Sequence, residues 1–228
     1  MLLIAVHAYG AELPQWFIPL REAVYEQKLP ANEIVPLYNT AKARTEQALA
    51  GAARFVILSR CEYMMGRAYQ YEEKNENAGK HYEAGMSWAE KALAEKESAE
   101  AWKMLAENLS QLCAVRPASF AIANGLKIEK YSKNALGLDK RNAAAQIMIA
   151  ARWVYAPSPF HNHKKGIEMM RAVTTEADMH KDDEFNVYLA IGYALIQQKK
   201  FNEAKPWLSK SLEIYPSNKY ARKLLNEK

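Results

Sequence analysis

Between Phe185 and Asn218 the chain alternates apolar and polar positions with a helical period. Tyr188, Ile191, Gly192 and Leu195 fall on one helical face, and a short break follows at Lys199-Lys200-Phe201. Ala204, Leu208 and Ser211 then recur at spacings of four and three, and Pro216 ends the run because proline cannot continue a helix. Small residues at Gly192 and Ala204 would let two antiparallel helices approach closely. The segment therefore predicts a helical hairpin.

The same layout recurs upstream. Trp102, Leu105, Ala106 and Leu109 open a unit that begins at Glu100-Ala101-Trp102 and ends at Asn134-Ala135-Leu136-Gly137-Leu138-Asp139. A further unit starts at Ala143, with Ile149, Ala150 and Trp153 on one face, followed by Gly166, Met170 and Val173. Before these, Tyr63, Gly66 and Tyr69 pair with Ala84, Trp88, Ala92 and Leu93. Repeats thus span 59–218. Two amphipathic segments, Leu13 to Leu29 and Glu33 to Ala50, are separated by Pro30 and predict a divergent N-terminal capping hairpin within 11–58. Residues 219–228 predict a polar C-terminal capping helix of the kind that keeps such arrays soluble.

The positions Tyr188, Ile191, Gly192, Leu195, Ala204, Leu208, Ser211 and Pro216 resemble the tetratricopeptide repeat. That resemblance implies an all-α fold, a right-handed α-α superhelix of four to five hairpins plus the C-terminal helix. One hairpin cannot bury its own stripe, so neighbours must supply the opposing wall. The layout from Asn134 through Asn218 is also similar to the repeat region of regulator-of-microtubule-dynamics proteins, and to exported bacterial repeat proteins that accompany TRAP-type solute transporters.

Composition agrees with helices. The chain holds 37 Ala against 24 Val, Ile and Thr together, with only 9 Gly and 9 Pro; branched residues favour strands, whereas Ala favours helices. Half the residues are hydrophobic and 25% are charged, enough for a packed core. All-β, collagenous and disulfide-scaffold classes are excluded. Net charge is +5, but the basic residues are scattered, Lys164-Lys165 and Lys199-Lys200 being the nearest clusters. That pattern reads as a solvated face rather than a nucleic-acid surface. Cys61 and Cys113 are expected too far apart for a disulfide and to be buried free thiols.

Met1 to Tyr9 is an apolar run broken only by His7, and Ala8-Tyr9-Gly10 resembles a cleavage site. Residues 1–10 read either as a truncated signal peptide or as an apolar helix that caps the fold; the first is preferred, giving a periplasmic or otherwise exported protein, with a cytoplasmic one as the alternative. No run of 18 apolar residues exists to span a membrane.

Trp88, Trp102, Trp153 and Trp207 occur about once per unit and are expected in the core, as are the methionines, with Met64 the one that could touch a partner. The family resemblance places its concave groove at the second, fifth, ninth and twelfth positions of each first helix. These are Arg60, Tyr63, Arg67 and Gln70; Glu100, Lys103, Glu107 and Ser110; the more apolar Ala144, Ile147, Ala151 and Val154; and Asn186, Leu189, Tyr193 and Ile196. Tyr and Arg are enriched at binding hot spots. Two turns read as enlarged rim loops at one edge: 114–120, with Pro117 and Phe120, and 156–163, with Pro157, Pro159, Phe160 and His161.

His161, His163 and His180 lack the accompanying ligands of a metal site. No catalytic motif is found, and the pairs Glu72-Glu73 and Asp182-Asp183 are expected as solvated turn acids, the second pair where the next repeat starts. The sequence accordingly predicts a non-catalytic scaffold without cofactor or metal. It would bind a protein or peptide in the groove, with self-association left open. The alternative is a small-ligand carrier or transporter component using the apolar face around Ile147, Ala151 and Val154.

Overall fold

The computed structural model describes residues 13–227, and eleven helices account for most of them. They are α1 (Ile18–Glu26), α2 (Ala31–Ala48), α3 (Gly51–Gln70), α4 (Asn75–Glu95), α5 (Ala99–Val115) and α6 (Ala118–Leu138), then α7 (Ala143–Tyr155), α8 (His163–Glu176), α9 (Lys181–Gln197), α10 (Phe201–Ile214) and α11 (Lys219–Leu225). Successive helices pair as five hairpins, and α11 follows the last. The N-terminal run read as a signal lies outside the described residues.

Short polar residues start several of these helices. Ser98, Asn142, Asn162 and Asn218 each accept a hydrogen bond from a backbone N–H in the first turn of α5, α7, α8 and α11. An N-cap oxygen satisfies a donor that has no partner within the helix, worth about 1 kcal/mol. At α9 the roles reverse, since the Asp183 carboxylate accepts from the His180 N–H at 3.0 Å.

Each helix packs on the next, and the odd-numbered helices also meet each other: α1 with α3, α3 with α5, α5 with α7, α7 with α9, and α9 with α11. No comparable contact joins α4 to α6, α6 to α8 or α8 to α10 among the described residues. The odd helices therefore form the crowded inner wall of a bent stack, and the even ones splay on the outside.

Close approach between layers depends on small residues. A Cβ on Gly66 of α3 would lie 2.5 Å from the ring of the fully buried Tyr82 on α4. Nearby, the Ser59 hydroxyl donates to the Gly85 carbonyl at 2.7 Å, and the Asn108 amide donates to Ser59 Oγ at 3.2 Å. This buried polar stitch ties α3, α4 and α5 together.

The tryptophans depart from expectation. Trp88, Trp102, Trp153 and Trp207 are all half-buried, with Trp102 and Trp207 packed against the core cluster from its margin. Lys91 and Lys165 stand 4.1 and 3.8 Å over the rings of Trp88 and Trp153, and Lys210 stands 5.1 Å over Trp207. An indole carries a polar N–H and a cation-attracting face, so an edge satisfies it better than an aliphatic interior. The fully buried large side chains are instead Phe17, Tyr25, Tyr82, Phe185 and Tyr215, with Met64, Met65 and Met104 filling gaps. Met64 is thus inside the core and touches no surface. Cys61 is buried and Cys113 half-buried, and both are free thiols.

Boundaries also shift. The first full unit begins at Gly51 rather than at Ser59, so the expected division at 58 falls inside α3. The 114–120 turn is not enlarged: Pro117 is the N-cap of α6, and Phe120 is a half-buried residue of that helix. Proline at a cap costs no hydrogen bond, so α6 starts there. The 156–162 segment is a real loop, in which Pro157, Pro159, Phe160 and His161 are exposed.

The stack is also tied end to end through α1. Tyr25 stacks on Tyr215 at 4.8 Å and meets Phe185 edge-on at 5.5 Å. Its carbonyl accepts from the Asn218 amide at 2.8 Å, and its hydroxyl accepts from Asn186 at 3.2 Å. The Glu26 carboxylate accepts from the Ser217 N–H at 2.9 Å, and Gln27 Oε1 from the Lys219 N–H at 2.8 Å. Lys181 donates to Glu22 at 2.6 Å.

Candidate partner-binding face

The inner wall divides along the helix axes. Toward the N-terminal ends of α5, α7 and α9 it is charged. Arg60 of α3 pairs with Glu100, which also receives Lys103 at 2.7 Å and the Asn142 amide at 3.1 Å. Burial works to raise the Glu100 carboxyl, but the charges of Lys103 and Arg60 outweigh it and hold the group well below the usual carboxylate range. Glu107, about two turns further along α5, goes the other way, because burial there exceeds the pull of Lys103 and Arg60.

Asp182 and Asp183 face this cluster from α9. They are not solvated turn acids: Asp183 is buried, and burial together with Asp182 raises its carboxyl well above the ordinary range. Both open a helix, where the unpaired backbone N–H groups favour acids, and that end of α9 points inward. Arg21 of α1 approaches Asp182 at 3.9 Å. His180, lowered by burial and then by Lys103 and Arg60, belongs to this cluster and not to the loop histidines. Those two, His161 and His163, stack on each other at 4.4 Å.

Toward the C-terminal ends of the odd helices the wall is aromatic. Arg67 of α3 donates from Nη1 to the Tyr63 hydroxyl at 3.0 Å, and from Nε to the Tyr71 hydroxyl at 3.1 Å. Its guanidinium also lies over the rings of Tyr25, Tyr63 and Tyr71 at 5.2, 5.7 and 5.1 Å. Burial pushes the Tyr63 phenol upward against the pull of Arg67. Tyr155 at the end of α7 stands 5.0 Å from Tyr193 of α9.

Of the groove positions expected from the sequence, Arg60, Tyr63, Arg67, Lys103 and Leu189 are buried, and Gln70, Glu107, Asn186 and Tyr193 half-buried. Arg60, Lys103 and Glu107 share the charged end, Tyr63, Arg67 and Tyr193 the aromatic end. Gln70 turns toward α4 and accepts from the Tyr82 hydroxyl at 2.5 Å. Asn186 reaches α1 through Tyr25. Ile147 and Val154 are buried within the packing, so that stretch offers no open apolar pocket.

Sequence reasoning missed Arg21, Tyr25, Tyr71, Tyr155, Asp182, Asp183 and Tyr220. A signal was present for some of them. Arg21 and Tyr25 repeat the four-residue spacing of Arg67 and Tyr71, which puts both members of each pair on one helical face.

The architecture defines an all-α stack of helical hairpins with a polar inner wall. Residues 185–218, which are α9, α10 and the turn after them, match the family model described as tetratricopeptide repeat. That match makes this one hairpin similar to a tetratricopeptide repeat. No curated protein matches the chain. Among solved structures it is similar to that of YrrB, described as a TPR protein with an unusual peptide-binding site. Identity is 15%, the match covers 91% of this chain and 89% of that one, and the TM-score is 0.39.

Proposed function

We propose that the chain is a non-catalytic scaffold that holds a protein or peptide partner against its inner wall. One observation carries this: beside buried aliphatics such as Ile147, Val154 and Leu189, the wall gathers Arg60, Arg67, Glu100, Lys103, Glu107, Asp182 and several tyrosines. Desolvating charges costs several kcal/mol each unless they are well paired. A wall that only held the stack together would be apolar. Arg and Tyr are also the residue types on which binding energy concentrates. Inward acids here neutralise Arg60 and Lys103 or cap α9, which supports the non-catalytic assignment.

A photo-crosslinking amino acid at Tyr155, which is exposed on the wall, should capture the partner in the native host. The same group at Ile122, exposed on α6 of the outer layer, should not. Capture from Ile122 alone would refute the assignment. An exported location belongs to the same proposal, and the mass of the mature N-terminus tests it, retention of Met1 counting against export.

A second reading, a small-ligand carrier or transporter component, draws support from Arg67 rather than from Ile147, Ala151 and Val154. Arg67 is a buried cation whose hydrogen bonds go to neutral phenols.

A further inference from the structure

We infer that the Arg67 end of the inner wall is a carboxylate-binding site, built from that guanidinium and the hydroxyls of Tyr63, Tyr71, Tyr155, Tyr193 and Tyr220. The inference rests on the inner wall being the binding face and gives that face its ligand chemistry.

Hydrogen-bond accounting leads to it. A guanidinium has five N–H donors and no acceptor. Arg67 uses Nη1 on Tyr63, and Nε and Nη2 on Tyr71. Both phenol oxygens therefore act as acceptors, which leaves their own O–H protons free to donate. Neither proton finds an acceptor among the described residues, and the hydroxyls of Tyr155, Tyr193 and Tyr220 also have no hydrogen-bond partner among them. The cluster is rich in donors and poor in acceptors.

Charge points the same way. Arg60 is paired with Glu100 and Arg21 with Glu22, but Arg67 forms no ion pair among the described residues. It is 9% exposed, and the rings of Tyr25, Tyr63 and Tyr71 surround it. A buried cation without a counter-charge is costly, and a carboxylate supplies the planar two-oxygen partner that a guanidinium fits.

The site is also reachable. Tyr155 and Tyr220 are 49% and 38% exposed, while Arg67 and Tyr63 lie deep. Arg67 and Tyr71 both act electrostatically on the Tyr155 phenol, and Tyr71 acts on Tyr220, so mouth and floor adjoin. Glu227 lies at the mouth, toward Tyr193 and Tyr220.

Such a carboxylate could belong to a small organic acid or to the end of a peptide. Benzoate and benzamide form one matched pair of probes, and Ac-Ala-Ala-Phe as free acid and as C-terminal amide the other, each titrated calorimetrically into the full chain. At least one acid should bind about tenfold or more tightly than its amide, as expected for a charge-assisted bond, and the preferred acid identifies the source. Arg67→Gln should abolish that preference. Tyr155→Phe, which removes one exposed hydroxyl and leaves the packing intact, should weaken the acid several-fold, so the test survives if the Arg67 variant fails to fold. Equal binding of acid and amide, or no binding of either acid, overturns the site. If crosslinking from Tyr155 persists in that event, the scaffold stands and only the carboxylate falls; if it is lost as well, both fall.

Discussion

Replacing Tyr25 by alanine removes a side chain that is 1% exposed and touches both ends of the stack. It loses stacking on Tyr215 and the edge contact with Phe185. It also loses the ring beneath Arg67 and the hydroxyl that Asn186 donates to. Truncating a buried aromatic typically costs 3–5 kcal/mol, and each aromatic pair adds about 0.5–1.5 kcal/mol of geometry-specific attraction. These terms overlap, because the three rings form one cluster. The expected loss is about 4 kcal/mol, which for a chain of this size lowers the melting temperature by roughly 10 °C. Tyr25→Phe keeps the rings and gives up one 3.2 Å hydrogen bond, worth about 1 kcal/mol. Urea unfolding measures the magnitude, and amide hydrogen exchange locates it. If α1 ties the ends together, the Ser217 and Lys219 amides, which donate to Glu26 and Gln27, should exchange faster in Tyr25→Ala although they lie some 190 residues away. A loss below about 1 kcal/mol, with those two amides unchanged, would show that α1 is an ordinary fraying end.

Asp183 should give stability a pH dependence of defined sign. Its folded carboxyl is raised, to about 7 against 3.8 for the free group, so its contribution is complete below pH 4 and is lost as pH rises toward neutrality. Asp183→Asn should flatten the decline between those limits, and urea midpoints across the range check it; an unchanged slope refutes the buried acid. Gly66→Ala forces a methyl group to within 2.5 Å of Tyr82 and should cost about 1–3 kcal/mol. Gly125→Ala on α6 meets nothing within 4 Å and should gain up to about 1 kcal/mol, so denaturation of the two variants should shift in opposite directions. Burial pushes the Cys61 thiol up to about 12, whereas Cys113 is only half-buried. Alkylation of the folded chain, followed by peptide mapping, should therefore label Cys113 first; equal rates would contradict the packing around α3.

The hairpins were legible in the sequence because their packing is local and periodic. Gly192 and Leu208, which identify the last unit, meet across a single hairpin, where an added Cβ would lie 2.5 Å from the leucine. The inner wall was partly legible for the same reason, since Arg60, Tyr63 and Arg67 recur on one helical face. What joins distant units was not. Tyr25 and its partners Asn186 and Asn218 are separated by 161 and 193 positions, and no periodic pattern encodes that contact. Asp182-Asp183 looked like a solvated turn because two adjacent acids usually are; the direction in which the start of α9 points decides otherwise. Trp88 and Trp153 were misplaced by treating bulk as a sufficient reason for burial, when lysines cover their outward faces.

The tie through α1 bears on how such a chain can change its length. An open array gains or loses a hairpin at the cost of one interface, because each unit contacts only its neighbours. Here Tyr25 must arrive beside Phe185 and Tyr215 after three intervening hairpins have turned the chain through a set arc. Duplicating or deleting one hairpin would move the far end past its seat and strand both halves of the joint. The number of units is therefore fixed by the geometry of the join, as it is in a propeller with a set number of blades.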